Sequence, residues 1–95
     1  MSDWSVYLLR CADGSLYCGA TNDMARRLDA HKNGRAAKYT RSRLPIKGHL
    51  YVGGFTKSEA LVNERAIKRQ AASRKMCALL ELSRTSGYPC GSWGW

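Results

Sequence analysis

Two tyrosine triplets lie near the start of this chain, Val6-Tyr7-Leu8 and Tyr17-Cys18-Gly19, and the pattern Thr21-Asn22, Arg26-Arg27, His31 follows them. Phenols and an imidazole hold or move protons, and a guanidinium neutralises charge on a phosphate. A tight-turn sequence separates the triplets, so the segment reads as a hairpin feeding a helix that carries a cation and an imidazole on its inner face. That combination suits phosphodiester chemistry.

Whether the two phenols can act together depends on the register of the hairpin. Trp4 to Cys11 is an apolar, β-prone run and reads as a strand, with Leu16 to Ala20 as its partner. A two-residue Asp13-Gly14 loop would pair Tyr7 with Ala20 and put the tyrosines on opposite faces. A three-residue loop, Ala12-Asp13-Gly14 with Gly14 in the left-handed region, pairs Tyr7 with Gly19 and Tyr17 with Leu9. Both phenols then share a face, and this is the expected register. A side chain at Gly19 would crowd the opposed Tyr7, although a plain sheet glycine at a twist reads the same way.

The later elements follow from caps and breakers. Thr21, Asn22 and Asp23 are cap candidates for a helix from about Asp23 to Lys32, with Gly34 as its stop. Residues 35–48 read as basic and irregular, and Leu50 to Phe55 as a third strand with a bulge at Gly53-Gly54. Thr56-Lys57-Ser58-Glu59 is a capping box that opens a helix to about Ala71. Ser73 is placed as the cap of a last helix through Leu82. Residues 1–83 form the folded domain, and 84–95 read as a flexible Gly/Ser/aromatic tail.

At about 100° per residue, Met24 and Leu28 set the core direction of the first helix. His31 falls inside that stripe and Arg27 at its margin. On the capping-box helix Ala60, Ile67 and Ala71 define the inner stripe, and Glu64 lies within it. Inward charged groups need partners, because desolvating an unpaired charge costs several kcal/mol. One solution is a structural Arg27–Glu64 ion pair with His31 hydrogen-bonded to backbone. The other is a solvent-open cleft in which Glu64 holds a divalent cation, Arg27 neutralises a phosphate and His31 moves or shares a proton.

Sixteen Lys and Arg against seven Asp and Glu give 95 residues a formal charge of +9, which points to a polyanionic partner, nucleic acid first. No helix pairs a clean basic face with a broad apolar one, so a membrane surface is not expected as the partner. Cys11, Cys18, Cys77 and Cys90 form no C-x-x-C pair and the two histidines lie far from them in sequence, which argues against zinc. The cysteines read as reduced thiols, Cys11 and Cys18 as core residues, in a cytoplasmic protein.

With these residues assembled, the chain resembles the GIY-YIG nuclease family. The resemblance runs through both tyrosine triplets, Thr21-Asn22, Arg27, His31, Lys38-Tyr39-Thr40 and Glu64 with Ala66-Ile67-Lys68, covering roughly residues 4 to 82. Val6, Leu8 and Cys18 depart from the family's name at positions expected to pack. The small stand-alone bacterial members are the nearest in kind. The resemblance implies an α+β fold, a three-stranded antiparallel sheet flanked by helices, with Tyr7, Tyr17, Arg27, His31, Tyr39 and Glu64 lining one cleft. It implies an endonuclease cleaving nucleic acid phosphodiesters with one Mg²⁺ or Mn²⁺ held by Glu64. Arg27 would stabilise charge on the phosphoryl oxygens. Tyr7 would accept or pass on the proton of the attacking water, which requires Arg27, the metal and neighbouring donors to lower a phenol pKa from about 10. Tyr17, His31 and Tyr39 would orient water and phosphate.

The basic run Arg35, Lys38, Arg41, Arg43 and Lys47 is expected to form a phosphate track. Nothing resembles an appended base-reading module, so little sequence specificity is expected, on single-stranded or branched DNA. DNA is favoured over RNA by the resemblance alone. Trp4, Trp93 and Trp95 are candidates for stacking on unpaired bases. The competing readings are a non-catalytic nucleic-acid-binding module on this scaffold and a basic subunit that docks on a DNA repair complex.

Overall fold

The computed structural model describes residues 3–86 and 90–93, with side chains through residue 82. Strands β1 (Trp4–Arg10), β2 (Leu16–Thr21) and β3 (Gly48–Phe55) form an antiparallel sheet with β1 in the middle. Helix α1 (Met24–Lys32) and a short α2 (Lys38–Arg41) lie between β2 and β3. Helices α3 (Lys57–Lys68) and α4 (Ala72–Ser86) follow. A short strand β4 (Cys90–Trp93) pairs antiparallel with the other edge of β3.

The hairpin adopts the three-residue loop. The Cys11 N–H donates to the Ser15 carbonyl and the Gly14 N–H to the Cys11 carbonyl, each at 2.9 Å, and Gly14 has φ +84°. Asp13 secures the turn by accepting from the Ser15 N–H and hydroxyl. Tyr7 therefore opposes Gly19, and Leu9 opposes Tyr17. The expected bulge in β3 is also present. Trp4 opposes Phe55 and Ser5 opposes Gly53, which leaves Gly54, at φ +92°, as the extra residue.

The sheet separates two cores by side-chain alternation. Val6, Leu8, Cys18, Leu50 and Val52 face α3 and α4, where Phe55, Ala60, Ile67 and Leu79 close the larger cluster. Tyr7, Leu9, Cys11 and Ile46 form the smaller cluster, packed by Tyr17, Met24, Leu28 and Tyr51. The polar site grows from the second.

The helix ends explain where α1 and α3 start and stop. Asp23 caps α1 by accepting from the Arg26 N–H at 3.1 Å. At the other end Gly34 takes φ +70°, with Gly34 N–H bonded to the His31 carbonyl and Arg35 N–H to the Ala30 carbonyl, a Schellman closure. Thr56 and Glu59 complete the capping box of α3 in both directions.

Four boundaries differ from the sequence reading. Residues 35–48 contain α2, a single turn that composition hides. Helix α3 ends at Lys68, so Ala71 is exposed rather than on the inner stripe. Ser73 lies inside α4 rather than capping it. Alanines 71 and 72 propagate helix on propensity, but α4 must turn back to seat Leu79 in the core, and packing overrides propensity. Within the span expected as a flexible tail, residues 84–86 complete α4 and residues 90–93 form β4. The side chains of Trp93 and Trp95 lie outside the described residues.

Candidate active site

The Tyr7 side chain starts on the central strand and lies over Gly19 of the edge strand. A Cβ built on Gly19 would collide with the Tyr7 hydroxyl, Cζ and Cε2, so glycine is what lets the ring lie flat toward the β2 edge. There the Tyr7 hydroxyl meets Nε2 of His31 at 2.9 Å. Nδ1 of His31 meets Oγ1 of Thr40 at 2.7 Å, and Thr40 Oγ1 donates to the Ala37 carbonyl at 3.2 Å. One chain of hydrogen bonds thus runs from β1 through α1 to α2. Tyr7 is 2% exposed and His31 1%.

Aromatic rings carry the site outward. Tyr17 lies 5.2 Å from the His31 ring and 6.4 Å from Tyr7, centroid to centroid. Tyr39 lies 5.7 Å from Tyr17 and is 37% exposed, so the cluster grades from a dry phenol to a solvent-facing one. Arg43 pins Tyr39. Its guanidinium sits 3.9 Å from the ring centroid, donates to the Tyr39 carbonyl at 3.0 Å and pairs with Asp13 at 3.1 Å.

Arg27 is exposed on α1 and lines a groove of about 390 Å³ with Thr21, Asn22, Asp23, Arg26 and Ala30. Its charge reaches inward nonetheless, favouring the ionised phenol of Tyr7 and disfavouring protonated His31. Glu64 arrives from the opposite layer. Helix α3 packs behind the edge strand, where Cys18 Sγ lies 3.8 Å from the Glu64 carbonyl. The Glu64 side chain is 20% exposed, 3.9 Å from Lys68, and its negative charge is felt at Tyr7.

Burial is the largest influence on the buried ionisable groups. It pushes Tyr7 well above the ordinary phenol range, helped by Tyr17 and Glu64 and opposed by Arg27. It pulls His31 down to about 4, with Arg27 adding to the fall. It also raises Cys18 to about 12, with Glu64 contributing. His31 is therefore a neutral imidazole at pH 7, and Tyr7 is a phenol rather than a phenolate. Burial thus acts against the lowering that Tyr7 needs from Arg27, the metal and neighbouring donors, because its hydroxyl sits in the core and Arg27 is exposed.

The structure brings Tyr7, Tyr17, His31 and Tyr39 into one cluster and sets Arg27 and Glu64 within electrostatic reach of Tyr7. Among the described residues the ion pair of Glu64 is with Lys68, not Arg27, and His31 bonds side chains rather than backbone. The basic track divides. Lys38, Arg41 and Lys47 are exposed, Arg35 makes a long exposed pair with Asp29 at 3.9 Å, and Arg43 is committed to Tyr39 and Asp13. Sequence reasoning missed Thr40, although it stands in the Lys38-Tyr39-Thr40 run. No local signal in the sequence marks it, because its burial and its bond to His31 arise from the packing of α2 against α1.

Among the described residues no group of three or more His, Cys, Asp and Glu side chains gathers to hold a metal. Glu64 is a single, partly exposed carboxylate. A single carboxylate is compatible with a hard divalent cation, which takes one or two protein carboxylates and completes its shell with water and substrate phosphate.

A helix-flanked antiparallel sheet with a neutral phenol–imidazole pair grading out to exposed aromatics and cations makes this an α+β domain with one polar site at its edge. Comparison with known families carries this one step further: the GIY-YIG catalytic domain model matches residues 3–76, and the chain belongs to that family. It is 48% identical over 84 residues to a UPF0213 protein of Cupriavidus pinatubonensis, covering 86% of this chain and 93% of that one. A UPF0213 protein of Nitratidesulfovibrio vulgaris is 51% identical over 76 residues, covering 80% and 69%. The solution structure of a UPF0213 protein from Bacillus halodurans is 38% identical, covers 83% of each chain and superposes with a TM-score of 0.46.

Proposed function

We propose that the protein is a divalent-metal-dependent endonuclease that hydrolyses DNA phosphodiester bonds with little sequence specificity, its catalytic unit being residues 1–83. The observation that carries this reading is the Tyr7–His31–Thr40 hydrogen-bond chain, a buried proton path that a binding module has no need for. The chemistry follows from its polarity. Tyr7 takes a proton from the attacking water as it gives its own to Nε2 of His31. The two transfers are coupled, since a free phenolate at Tyr7 is strongly disfavoured by burial. The water oxygen bonds to phosphorus. The bridging P–O bond breaks, and its electron pair leaves with the sugar oxygen, which takes a proton from solvent. The phosphodiester's own negative charge raises the proton affinity of His31 when substrate is bound, offsetting the effect of Arg27.

Arg27 neutralises charge on the phosphoryl oxygens. Tyr17 holds the imidazole in place by ring contact, and Tyr39, held by Arg43, presents a face to the nucleic acid. Glu64 would hold the Mg²⁺ or Mn²⁺, which when bound supplies Lewis-acid stabilisation of the leaving oxygen. Lys38, Arg41 and Lys47, with Arg35, supply backbone phosphate contacts. The free, buried Cys11 and Cys18 accord with a reducing, cytoplasmic setting.

A non-catalytic binding module, free or docked on a repair complex, is favoured by one observation, the Lys68 ammonium beside the lone metal carboxylate. Single-stranded, duplex and branched DNA incubated with Mg²⁺, Mn²⁺ or EDTA separates the two. Wild type is expected to cleave with metal, while Glu64→Ala and Arg27→Ala do not. Intact substrates with both wild type and Glu64→Ala, under conditions where both bind, give the binding-module reading.

A further inference from the structure

We propose that Thr40 is a positioning residue that fixes the tautomer of His31, holding the imidazole hydrogen on Nδ1 and leaving Nε2 open to take the proton of Tyr7. Its catalytic consequence rests on the nuclease reading above; its tautomeric content does not.

The assignment comes from counting donors and acceptors. The Ala37 carbonyl can only accept, so the 3.2 Å bond uses the Thr40 hydroxyl hydrogen. Thr40 Oγ1 then faces His31 as an acceptor, and the 2.7 Å bond needs a hydrogen on Nδ1. A neutral imidazole has one N–H, so Nε2 carries the lone pair and the Tyr7 hydroxyl donates to it at 2.9 Å. The opposite tautomer reverses every bond. The Ala37 carbonyl would survive that, because it also accepts from the Arg41 N–H at 3.0 Å. Tyr7 would not. Its hydroxyl is buried, and among the described residues His31 is its hydrogen-bond partner, so reversal would strand a phenol hydrogen without an acceptor. That loss is worth roughly tenfold or more in tautomer population.

The local fold makes Thr40 a stiff support. It sits in the single turn of α2, fully buried, and its β-branched side chain bonds the carbonyl three residues back. The other groups facing His31 are Tyr7 on β1, Tyr17 on β2 and Arg27 on its own helix. None of them offers Nδ1 an acceptor. When Tyr7's proton moves to Nε2, Nδ1 keeps its hydrogen and its bond to Thr40, so the imidazolium forms without ring rotation. The proton then returns through Tyr7 or leaves to solvent at the end of the turnover.

The test is ¹⁵N-detected NMR of the imidazoles in the full chain at neutral pH, with His49→Gln assigning the two histidines. In wild type, His31 is expected to show a protonated Nδ1 and an unprotonated Nε2. In Thr40→Val the Nδ1 hydrogen loses its acceptor while the preference set by Tyr7 remains, so the ratio of Nδ1–H to Nε2–H rings should fall by about tenfold or more, and Thr40→Ser should restore it. On any DNA substrate that wild type cleaves, Thr40→Val should lose roughly 100-fold in kcat and Thr40→Ser no more than about threefold. A wild-type His31 with its hydrogen on Nε2 overturns the proposal, and this outcome needs no variant to fold. So does Thr40→Val with an unchanged tautomer ratio, or with a changed ratio and an unchanged rate. If wild type cleaves nothing, the nuclease reading fails and the wild-type spectrum alone decides what Thr40 does.

Discussion

Acidification will destabilise this protein through His31 before its carboxylates titrate. In the unfolded chain the imidazole takes a proton near pH 6.5, and in the folded protein not until about 4. Between those values the unfolded state binds the extra proton and the native state does not. The contribution is therefore fully present above pH 6.5 and is lost as pH falls toward 4. The gap corresponds to about 3 kcal/mol, a large share of the 5–15 kcal/mol that holds a typical domain. The cause is structural: the ring is 1% exposed, both nitrogens are already engaged, and Arg27 repels a second positive charge.

The assay is urea unfolding at intervals from pH 7.5 to 4.5, for wild type and His31→Gln. The amide cannot titrate in this window, and the common background of carboxylates and net charge cancels in the comparison. His49, whose pKa is also lowered by burial, contributes equally to both proteins. Wild type should lose about 2–3 kcal/mol more than the variant over the interval. Parallel curves would mean that the imidazole is protonated in the native state or reaches solvent, and the polarity argued for the proton path would go with it.

Four further outcomes follow from the geometry. Gly19→Ala puts a methyl group into the Tyr7 hydroxyl and Cζ, so the ring must swing off His31; a loss of about 1–3 kcal/mol by chemical denaturation and roughly 100-fold in cleavage is expected. Thr56→Ala removes one half of the capping box of α3 and should cost about 1 kcal/mol in the same measurement without changing the cleavage pH profile. Replacing Lys38, Arg41 and Lys47 together by alanine should lower the slope of log affinity against log salt by about 2–3 on duplex DNA. Arg43→Ala should instead weaken binding through loss of Tyr39 placement, with a smaller change in slope, as read by fluorescence anisotropy.

The parts of the fold that were legible are those fixed by local backbone chemistry. The three-residue loop Ala12-Asp13-Gly14 set the hairpin register, and with it the shared face of Tyr7 and Tyr17, because the left-handed glycine shifts the pairing by one residue. Helical periodicity placed His31 inward for the same local reason. What remained hidden depends on contacts distant in sequence. Helix α2 is one turn held by its neighbours, and Thr40 gains its meaning only from His31, nine residues away and on another helix. Strand β4 is built from a Gly/Ser/aromatic composition that reads as tail until the free edge of β3 is in view. The upward pull on the Tyr7 pKa was hidden for a related reason. Residue types show that a cation is near, whereas burial is a property of the assembled sheet, and here desolvation outweighs the cation.

The edge position of β2 explains how groups from both layers of the molecule can serve one site. Tyr7 and Glu64 start on opposite faces of the sheet, one from β1 and the other from the helix behind Cys18. In the middle of a sheet the strands themselves would keep them apart. Among the described residues no strand lies beyond β2, and Gly19 adds no side chain, so the phenol can lean to the rim while α3 supports the carboxylate from behind. Filling that rim with an added side chain should therefore uncouple the two layers. In Gly19→Ala the Tyr7 hydroxyl should no longer respond to Glu64→Gln, whereas in wild type removal of that charge should ease ionisation of Tyr7 and move its absorbance titration to lower pH. A wild-type titration indifferent to Glu64→Gln would show that the carboxylate and the phenol do not share a site.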